Sequence, residues 1–220
     1  MIEIYETKER VTADNDAAAE KTRQMMKEEK VFFVNLMASP GSGKTTLLVR
    51  TIEALKEKYR FGVMEADVDS DVDAAAVAKT GARVIQLHSG GLCHMDADMT
   101  KRGIEKFGVE DIDILFLENI GNLVCPAEFD TGASKKVMIL SVPEGDDKPL
   151  KYPLMFTVVD LILVNKIDAR EVFDFDEKRF EENVRKVNDH APILYLSALT
   201  GEGIEAWYEW LSKETEEWKK

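Results

Sequence analysis

A glycine-rich segment that ends in lysine and threonine is the part of the sequence best suited to chemistry. Residues 38–46 read Ala-Ser-Pro-Gly-Ser-Gly-Lys-Thr-Thr, between an apolar run and a stretch with helical apolar spacing. Glycines let several backbone N–H groups point at one anion, and a helix N-terminus adds partial positive charge there. The pattern predicts a phosphate-binding P-loop, in which Lys44 reaches the β- and γ-phosphates and Thr45 binds Mg²⁺. The expected phosphate-binding residues are Gly41, Ser42, Gly43, Lys44, Thr45 and Thr46.

A polar tetrapeptide after the sixth apolar run predicts recognition of guanine. Its residues, Asn165-Lys166-Ile167-Asp168, resemble the N-K-x-D element of GTPases. The Asp168 carboxylate can accept hydrogen bonds from N1–H and the exocyclic amine of guanine, whereas adenine has no donor at N1. We expect Lys166 to lie along the base and Asn165 to join neighbouring loops. A second element, similar to the S-A-[LK] loop whose backbone N–H contacts guanine O6, consists of Ser197, Ala198 and Leu199.

Carboxylates at the ends of two predicted strands are candidates for binding Mg²⁺ and orienting water. Glu118 takes the position of the Walker B acid, and Gly121 could present its N–H to the γ-phosphate; Ras-like GTPases have D-x-x-G here. Asp67 follows another strand and suits the magnesium shell, while Asp73 could orient the attacking water or sense the γ-phosphate. The alternative is that this second segment is a solvated acidic loop. The expected magnesium ligands are Thr45, Asp67 and Glu118, and the expected catalytic residues are Lys44, Asp67, Asp73, Glu118 and Gly121.

Two cysteines and a histidine form a candidate site for a second metal. Cys93 and His94 precede a predicted helix, and Cys125 follows the segment that contains Glu118. Thiolate and imidazole ligands suit Zn²⁺ and Ni²⁺. Three ligands leave the coordination sphere incomplete, so that water, Asp98 or a second subunit could complete it. The alternative is that the cysteines are small buried apolar residues.

The composition excludes several classes of protein. The formal net charge of −13 argues against a nucleic-acid-binding or anionic-membrane surface, because both need clustered Lys and Arg. We find no apolar run of the roughly 18 residues that a membrane span requires. The N-terminal residues do not have the pattern of a secretory signal, and two cysteines give little scope for structural disulfides. We therefore expect a cytoplasmic protein that binds neither nucleic acid nor membrane.

Short apolar runs that alternate with helical patterns predict an α/β fold. We expect a P-loop NTPase fold, with a mostly parallel seven-stranded sheet and helices on both faces. The predicted domains are a peripheral helical segment, residues 1–30, and a GTPase domain, residues 31–220. Thr12, Asp14 and Asn15 are candidate caps of the first helix, and residues 143–153 are predicted to form the longest loop. The predicted strands are 31–37, 61–65, 83–87, 112–117, 137–142, 161–164 and 193–196, and the predicted helices include 47–55, 72–79, 96–107, 176–188 and 204–213.

Most of the chain resembles the HypB family, hydrogenase nickel-incorporation GTPases of the SIMIBI class. The resemblance implies a GTPase that helps load nickel into [NiFe] hydrogenase and dimerises when GTP is bound. The implied partners are a HypA-like accessory protein and the hydrogenase large-subunit precursor, and the implied cofactors are GTP, Mg²⁺ and Ni²⁺ or Zn²⁺. Cys93, His94 and Cys125 match the family's metal ligands. The residues that carry the resemblance are 39–46, 93–97, 118–130, 144–149 and 165–168.

Two features depart from the family pattern. The first P-loop position is Ala38 instead of glycine, which raises the question of how tight the first turn is. Some family members also carry a cysteine-rich or histidine-rich N-terminal segment, which this sequence does not show, so that nickel storage is not expected here.

The resemblance and the motif positions together predict a switch. GTP and Mg²⁺ are expected to draw residues 67–73 and 118–130 onto the γ-phosphate, and this movement would bring Cys125 toward Cys93 and His94. Hydrolysis would then release the loop and weaken the metal site. The alternatives are a urease-type nickel chaperone GTPase, a P-loop small-molecule kinase, and a metal-binding module with a vestigial nucleotide site.

Overall fold

The structure is a computed structural model that describes residues 7–67 and 72–220, with side chains from residue 13 onward. Its strands form one seven-stranded sheet in which every pairing is parallel. The strands are β1 (Phe32–Ala38), β2 (Phe61–Asp67), β3 (Arg83–His88), β4 (Ile114–Glu118), β5 (Lys135–Ser141), β6 (Leu161–Asn165) and β7 (Ile193–Tyr195). Their order across the sheet is β3-β2-β4-β1-β5-β6-β7. This arrangement confirms the predicted seven-stranded sheet.

The helices cover both faces of the sheet. They are α1 (Thr7–Glu28), α2 (Lys44–Leu55), α3 (Val72–Ala78), α4 (Ala97–Phe107), α5 (Cys125–Glu128), α6 (Lys148–Lys151), α7 (Pro153–Val158), α8 (Glu177–Arg185) and α9 (Ile204–Trp218). Short 3-10 helices at Val142–Glu144 and Ile167–Ala169 complete the described elements. Helices α2 and α9 pack on one face, and α1, α4, α7 and α8 pack on the other.

Strand β1 shows why the central strands read as continuous apolar runs. All of its residues are buried. Phe32, Val34 and Leu36 face the core that contains α2 and α9, whereas Phe33 and Met37 face the opposite side of the sheet. A parallel strand covered on both faces needs apolar residues at successive positions, because alternating side chains point to opposite faces. The loop after β1 therefore leaves the sheet from its central strand.

The cap prediction for the first helix was wrong. Helix α1 already includes Thr7, so Thr12, Asp14 and Asn15 lie within it. Asn15 instead makes tertiary hydrogen bonds: its Nδ2 donates to the Asp130 carbonyl at 2.9 Å, and its Oδ1 accepts from the N–H of Ala97 at 2.9 Å. The side chain thus satisfies a backbone N–H at the start of α4, and the domain division at residue 30 stays a prediction.

The predicted loop at residues 143–153 is also wrong as a continuous loop. The Val142–Glu144 3-10 helix overlaps its start, α6 lies within it, and α7 begins at its end. Pro143, Pro149 and Pro153 each occupy the first turn of one of these helices. Proline is tolerated there because its missing N–H would have no helical partner. Across the described part of the chain, we find no helix that combines the length and apolar character needed to cross a bilayer.

Candidate functional site

The glycine-rich segment wraps around the end of β1 and the start of α2. Ala38 is a regular, fully buried strand residue, and its φ is not positive. The first turn therefore does not need glycine at this position. The left-handed conformations fall on Gly41, with φ of 73°, and Gly43, with φ of 99°. A Cβ atom on Gly43 would overlap Nδ2 of Asn165, so this glycine is required both by its backbone conformation and by its neighbour.

The predicted magnesium residues from two elements meet beside this loop. The Thr45 hydroxyl donates to Oε1 of Glu118 at 3.1 Å, and Glu118 is 4% exposed. Lys44 is also buried, at 9% exposure. Gly121 lies against the loop, because a Cβ there would be 3.0 Å from Cγ of Pro40. Glu118 and Gly121 thus both lie beside the P-loop, and their roles toward Mg²⁺ and the γ-phosphate stay predictions.

The structure describes Asp67 and Asp73 less completely. Asp67 ends β2, Asp73 is an exposed residue in the first turn of α3, and residues 68–71 between them lie outside the described residues. The negative charge of Asp73 contributes to raising the pKa of Glu118, although burial is the larger cause. The roles of both aspartates in magnesium binding and water activation stay predictions.

Glu65 is a buried acid that the sequence interpretation missed. It is 3% exposed and pairs in register with Glu118 on the neighbouring strand β4. Burial, and then the charge of Glu118, raise the pKa of Glu65 to about 10, so that it is protonated at neutral pH when no cation is bound beside it. Its signal in the sequence was an acid in the apolar run Phe-Gly-Val-Met-Glu-Ala. The run could not show which strand would lie beside it.

The guanine-recognition segments are tied directly to the phosphate loop. Asn165 donates from Nδ2 to the Ser42 carbonyl at 2.8 Å and accepts the Ala198 N–H on Oδ1 at 2.9 Å. This confirms the expectation that Asn165 joins neighbouring loops. Lys166, whose φ is 62°, extends its Nζ to the carbonyl of Gly41 at 2.6 Å. Asp168 is exposed in the Ile167–Ala169 3-10 helix.

A groove connects the phosphate end of the site with the last of these loops. Its volume is about 860 Å³, which lies in the usual range of roughly 300–1,000 Å³ for small-molecule sites. The phosphate loop contributes Thr45 and Thr46, and the opposite end contributes Ala198 and Leu199. Its other lining residues lie on α2, α3 and α9, and neither Lys44 nor Asp168 is among them. The groove therefore borders the phosphate loop and the loop of Ala198 without enclosing the whole predicted nucleotide site.

The predicted metal ligands come together at the carboxyl end of the sheet. The Sγ atoms of Cys93 and Cys125 are 2.8 Å apart, and Sγ of Cys93 is 3.9 Å from Nδ1 of His94. All three ligand atoms lie within 4.8 Å of one another, and both cysteines are free thiols. Thiolate and imidazole ligands suit Ni²⁺ or Zn²⁺. Asp98 is not part of this cluster; its Oδ2 lies 3.1 Å from Nε of Arg102.

The local environment prepares His94 to act as a metal ligand. Its ring stacks on Phe129 with a centroid separation of 4.0 Å and an interplanar angle of 10°. Partial burial lowers the pKa of His94, which favours the neutral imidazole that binds metals. Phe129 directly follows α5, the helix that begins with Cys125. The imidazole and the second thiol are thus placed by the same short segment.

Asn122 connects the metal cluster to the phosphate loop, a role that the sequence did not reveal. Its backbone N–H donates to the carbonyl of Ala38 at 2.8 Å. Its side-chain Nδ2 donates to the Cys93 carbonyl at 3.3 Å, and its Oδ1 accepts the Val124 N–H at 2.7 Å. One residue therefore contacts the end of β1 and both loops that carry the thiols.

Comparisons with known proteins identify relatives over nearly the whole chain. Residues 32–195 match the family model for the CobW/HypB/UreG nucleotide-binding domain. The hydrogenase maturation factor HypB of Rhizobium leguminosarum bv. viciae is 46% identical over 208 residues, which cover 94% of this chain and 70% of that protein.

Two solved structures have the same fold as this chain. The crystal structure of HypB from Helicobacter pylori in complex with nickel has a TM-score of 0.86 and 36% identity, and the match covers 93% of this chain and 96% of that one. HypB from Archaeoglobus fulgidus has a TM-score of 0.85 and 37% identity, with 92% and 99% of the two chains covered. These matches confirm the predicted P-loop NTPase fold.

Proposed function

Because this chain belongs to the HypB family of CobW/HypB/UreG nucleotide-binding proteins, we propose that it is a GTPase that delivers nickel during maturation of a [NiFe] hydrogenase. The observation that carries the proposal is the cluster of Cys93, His94 and Cys125, whose ligand atoms lie within 4.8 Å of one another. This cluster is joined by Asn122 to the strand that ends in the phosphate loop. The solved structure of a relative in complex with nickel supports nickel as the cargo.

Guanine specificity is proposed from the loop that follows β6. Asn165 fixes this loop to the phosphate loop and to Ala198, and the Asp168 carboxylate is exposed on the same loop. A carboxylate in that place accepts from the N1–H and amine of guanine, and it would face the N1 acceptor of adenine without a hydrogen bond. Ser197, Ala198 and Leu199 form the other side of the base site.

Magnesium binding is proposed at Thr45 and Glu118, with Asp67 as a further ligand. The fit rests on the bond between the Thr45 hydroxyl and Glu118 and on Oε2 of Glu118, a buried oxygen that receives no hydrogen bond from the described residues other than Glu65. When bound, the ion neutralises charge on the β- and γ-phosphate oxygens. Lys44 stabilises the developing charge on the transferred phosphoryl group, Gly121 offers its N–H to the same group, and Asp73 orients the attacking water.

Coupling between the nucleotide and the cargo metal is proposed to run through residues 118–125. Gly121 lies against Pro40 of the phosphate loop, and the next residue, Asn122, holds the backbone of both thiol-bearing loops. A γ-phosphate that draws Gly121 inward would therefore change the positions of Cys93 and Cys125. Hydrolysis would reverse the change and release nickel to the next protein.

The proposed partners complete the delivery step. We propose a GTP-dependent homodimer, an accessory protein of the HypA type, and the hydrogenase large-subunit precursor as the recipient. Zn²⁺ could occupy the same cluster, because its preferred ligands are the same. A location in the cytoplasm stays a prediction from the sequence.

The proposal is tested by measuring nickel affinity in the two nucleotide states. The purified chain is loaded with GDP or with a non-hydrolysable GTP analogue, and nickel is titrated against a coloured chelator. We expect the affinities to differ by roughly 5-fold or more, the lower end of usual coupling energies. Lys44→Ala should remove the difference, and phosphate release should be faster from GTP than from ATP. Equal affinities in both states would contradict the coupling.

A further inference from the structure

Glu65 is a buried carboxyl group next to the proposed magnesium site, and the proposed function gives it no role. It lies near the carboxyl end of β2, in register with Glu118 on β4. The exposed fractions of the two residues are 3% and 4%. Two adjacent buried acids are costly unless protons, cations or hydrogen-bond donors compensate them. A strand that needed only an apolar core would gain stability from an apolar residue at position 65.

One carboxyl oxygen of Glu65 and one of Glu118 lack an ordinary hydrogen-bond donor. Oε1 of Glu118 accepts from Thr45, and the Glu65 and Glu118 side chains are hydrogen-bonded to each other. Apart from that mutual bond, Oε2 of Glu118 and Oε1 of Glu65 have no hydrogen-bond partner within the described residues. At least about 90% of buried polar groups in native proteins are paired, so an unpaired buried oxygen calls for a missing ion or water. Here the two oxygens belong to Glu65 and Glu118, which lie side by side on adjacent strands. Glu118 also contacts Thr45, the threonine expected to bind Mg²⁺.

We propose that Glu65 is a positioning residue of the magnesium site, which acts with Glu118 by accepting hydrogen bonds from water molecules bound to the ion. The inference rests on the proposed nucleotide and magnesium binding. It fits the chemistry of Mg²⁺, which binds protein through one or two carboxylates and keeps several waters. Lys44 supplies one positive charge to this end of the site. A divalent cation would supply the remaining compensation for two carboxylates.

The competing explanation is that Glu65 is a structural partner of Glu118 with no part in ion binding. In that case a glutamine at position 65 would serve equally well, because its amide can donate to Glu118 and has nearly the same shape. The two explanations therefore differ in the expected effect of Glu65→Gln on magnesium affinity, whereas both allow a small change in stability.

The test measures how strongly Mg²⁺ slows the release of a fluorescent GDP analogue from the full chain. For Glu65→Gln we expect the half-saturating Mg²⁺ concentration to rise roughly 10-fold or more, as is typical when outer-shell metal partners are removed. Release in EDTA should change less than about two-fold, since the phosphate loop is intact. A magnesium dependence within two-fold of the wild type would overturn the inference.

Two further variants separate the inference from general destabilisation. Asp113 directly precedes β4, at the end of the strand opposite Glu118, and its carboxylate accepts hydrogen bonds from Arg60 and Lys219. Asp113→Asn should therefore leave the Mg²⁺ dependence unchanged. Glu65→Asp keeps the charge but shortens the side chain, and we expect it to weaken Mg²⁺ binding less than Glu65→Gln does. If Glu65→Gln does not fold, Glu65→Asp carries the test, and a Mg²⁺ affinity equal to that of the wild type overturns the inference. A wild-type chain that binds GDP without any effect of Mg²⁺ would overturn both this inference and the proposed magnesium chemistry.

Discussion

The phosphate end and the thiol cluster are adjacent but are built in different ways. At the phosphate end, Lys44 and Glu118 are 9% and 4% exposed, and the loop is fixed by strand register and by Asn165. At the cluster, Cys93 is exposed, and its loop contains no regular helix or strand. The first region has the enclosed, preorganised form of a receptor for a constant ligand. The second is open to solvent at Cys93.

This difference fits the two functions proposed for these regions, which are release of a metal at the cluster and detection of a phosphate group at the other site. A site that must hold a metal and then give it up benefits from ligands on loops, since such segments move at low energetic cost. A site that must detect a single phosphate group benefits from rigid donors. Asn122 connects the two regions, because it forms hydrogen bonds both to the end of β1 and to the loop that carries Cys93.

The largest expected effect is a loss of nickel affinity when a thiol of the cluster is replaced. Cys125→Ser replaces a thiolate with a weakly binding hydroxyl, and we expect nickel affinity to fall more than about 100-fold, beyond the usual loss from outer-shell changes. Affinity for GDP without nickel should stay within two-fold. Nickel competition with a chelator and fluorescent GDP titration measure both quantities. The control is Leu92→Ala, next to the cluster but without a ligand atom; nickel retention by Cys125→Ser would contradict the ligand assignment.

The next effect is on the phosphate side. Gly43→Ala places a Cβ against Asn165 in a residue whose φ is 99°. The left-handed backbone alone costs roughly 1–2 kcal/mol, and displacement of Asn165 adds to this. We expect GDP affinity to fall by up to about 100-fold, since each 1.4 kcal/mol is tenfold, while nickel binding without nucleotide is retained.

Gly81→Ala is the matched control for this change. Gly81 also has a left-handed φ, of 88°, but a Cβ there would have no atom within 4 Å. Gly81→Ala therefore has the energetic cost of the left-handed backbone without a steric overlap like that between Gly43→Ala and Asn165. If Gly81→Ala lowered GDP affinity as much as Gly43→Ala does, general destabilisation would explain the result.

The sequence predicted the strand, loop and helix of the phosphate end well, because the signals of these elements are local. The strand, the glycines and the helix start are contiguous, and the N-K-x-D and S-A-L segments each follow an apolar run. Cys93, His94 and Cys125 could also be proposed, because cysteine and histidine are informative ligands. Glu65 and Asn122 could not be assigned roles: their contacts depend on the register of β2 with β4 and on how two distant loops meet. The cap prediction for α1 failed because the helix already includes Thr7. The actual role of Asn15 could not be predicted, since its hydrogen bonds reach residues far along the chain.

A smaller effect is expected at the connection between the regions. Asn122→Ala removes the bonds to the Cys93 carbonyl and the Val124 N–H. We expect nickel affinity to fall about 10-fold, as for other residues that orient metal ligands, and the difference between GDP and GTP-analogue states to shrink toward one.

The conservative variant Asn122→Asp refines this test. Its carboxylate can still accept the Val124 N–H, but it cannot donate to the Cys93 carbonyl. We expect it to keep part of the nickel affinity that Asn122→Ala loses. A nucleotide effect on nickel binding that survives in both variants would show that the two regions communicate by another route.

The smallest effect on either site is expected from Asp113→Asn, at the amino end of β4. Hydrogen bonds from Arg60, and also from Lys219, lower the pKa of Asp113 well below its ordinary value. A lowered pKa means that the ionised acid stabilises the fold above the unfolded pKa of about 4, and that this stability is lost as the pH falls below it.

At pH 7 we expect Asp113→Asn to cost about 1 kcal/mol of unfolding free energy, because Arg60 is partly exposed and solvent screens the pair. The difference from the wild type should shrink as the pH falls from 4 toward 2, which urea unfolding at several pH values can measure. Affinities for GDP, Mg²⁺ and nickel should change less than two-fold, since both sites lie at the carboxyl ends of the strands. A loss of nickel or nucleotide affinity in this variant would mean that both regions depend on the stability of the whole sheet. The difference between the phosphate end and the thiol cluster would then no longer explain the effects of the other variants.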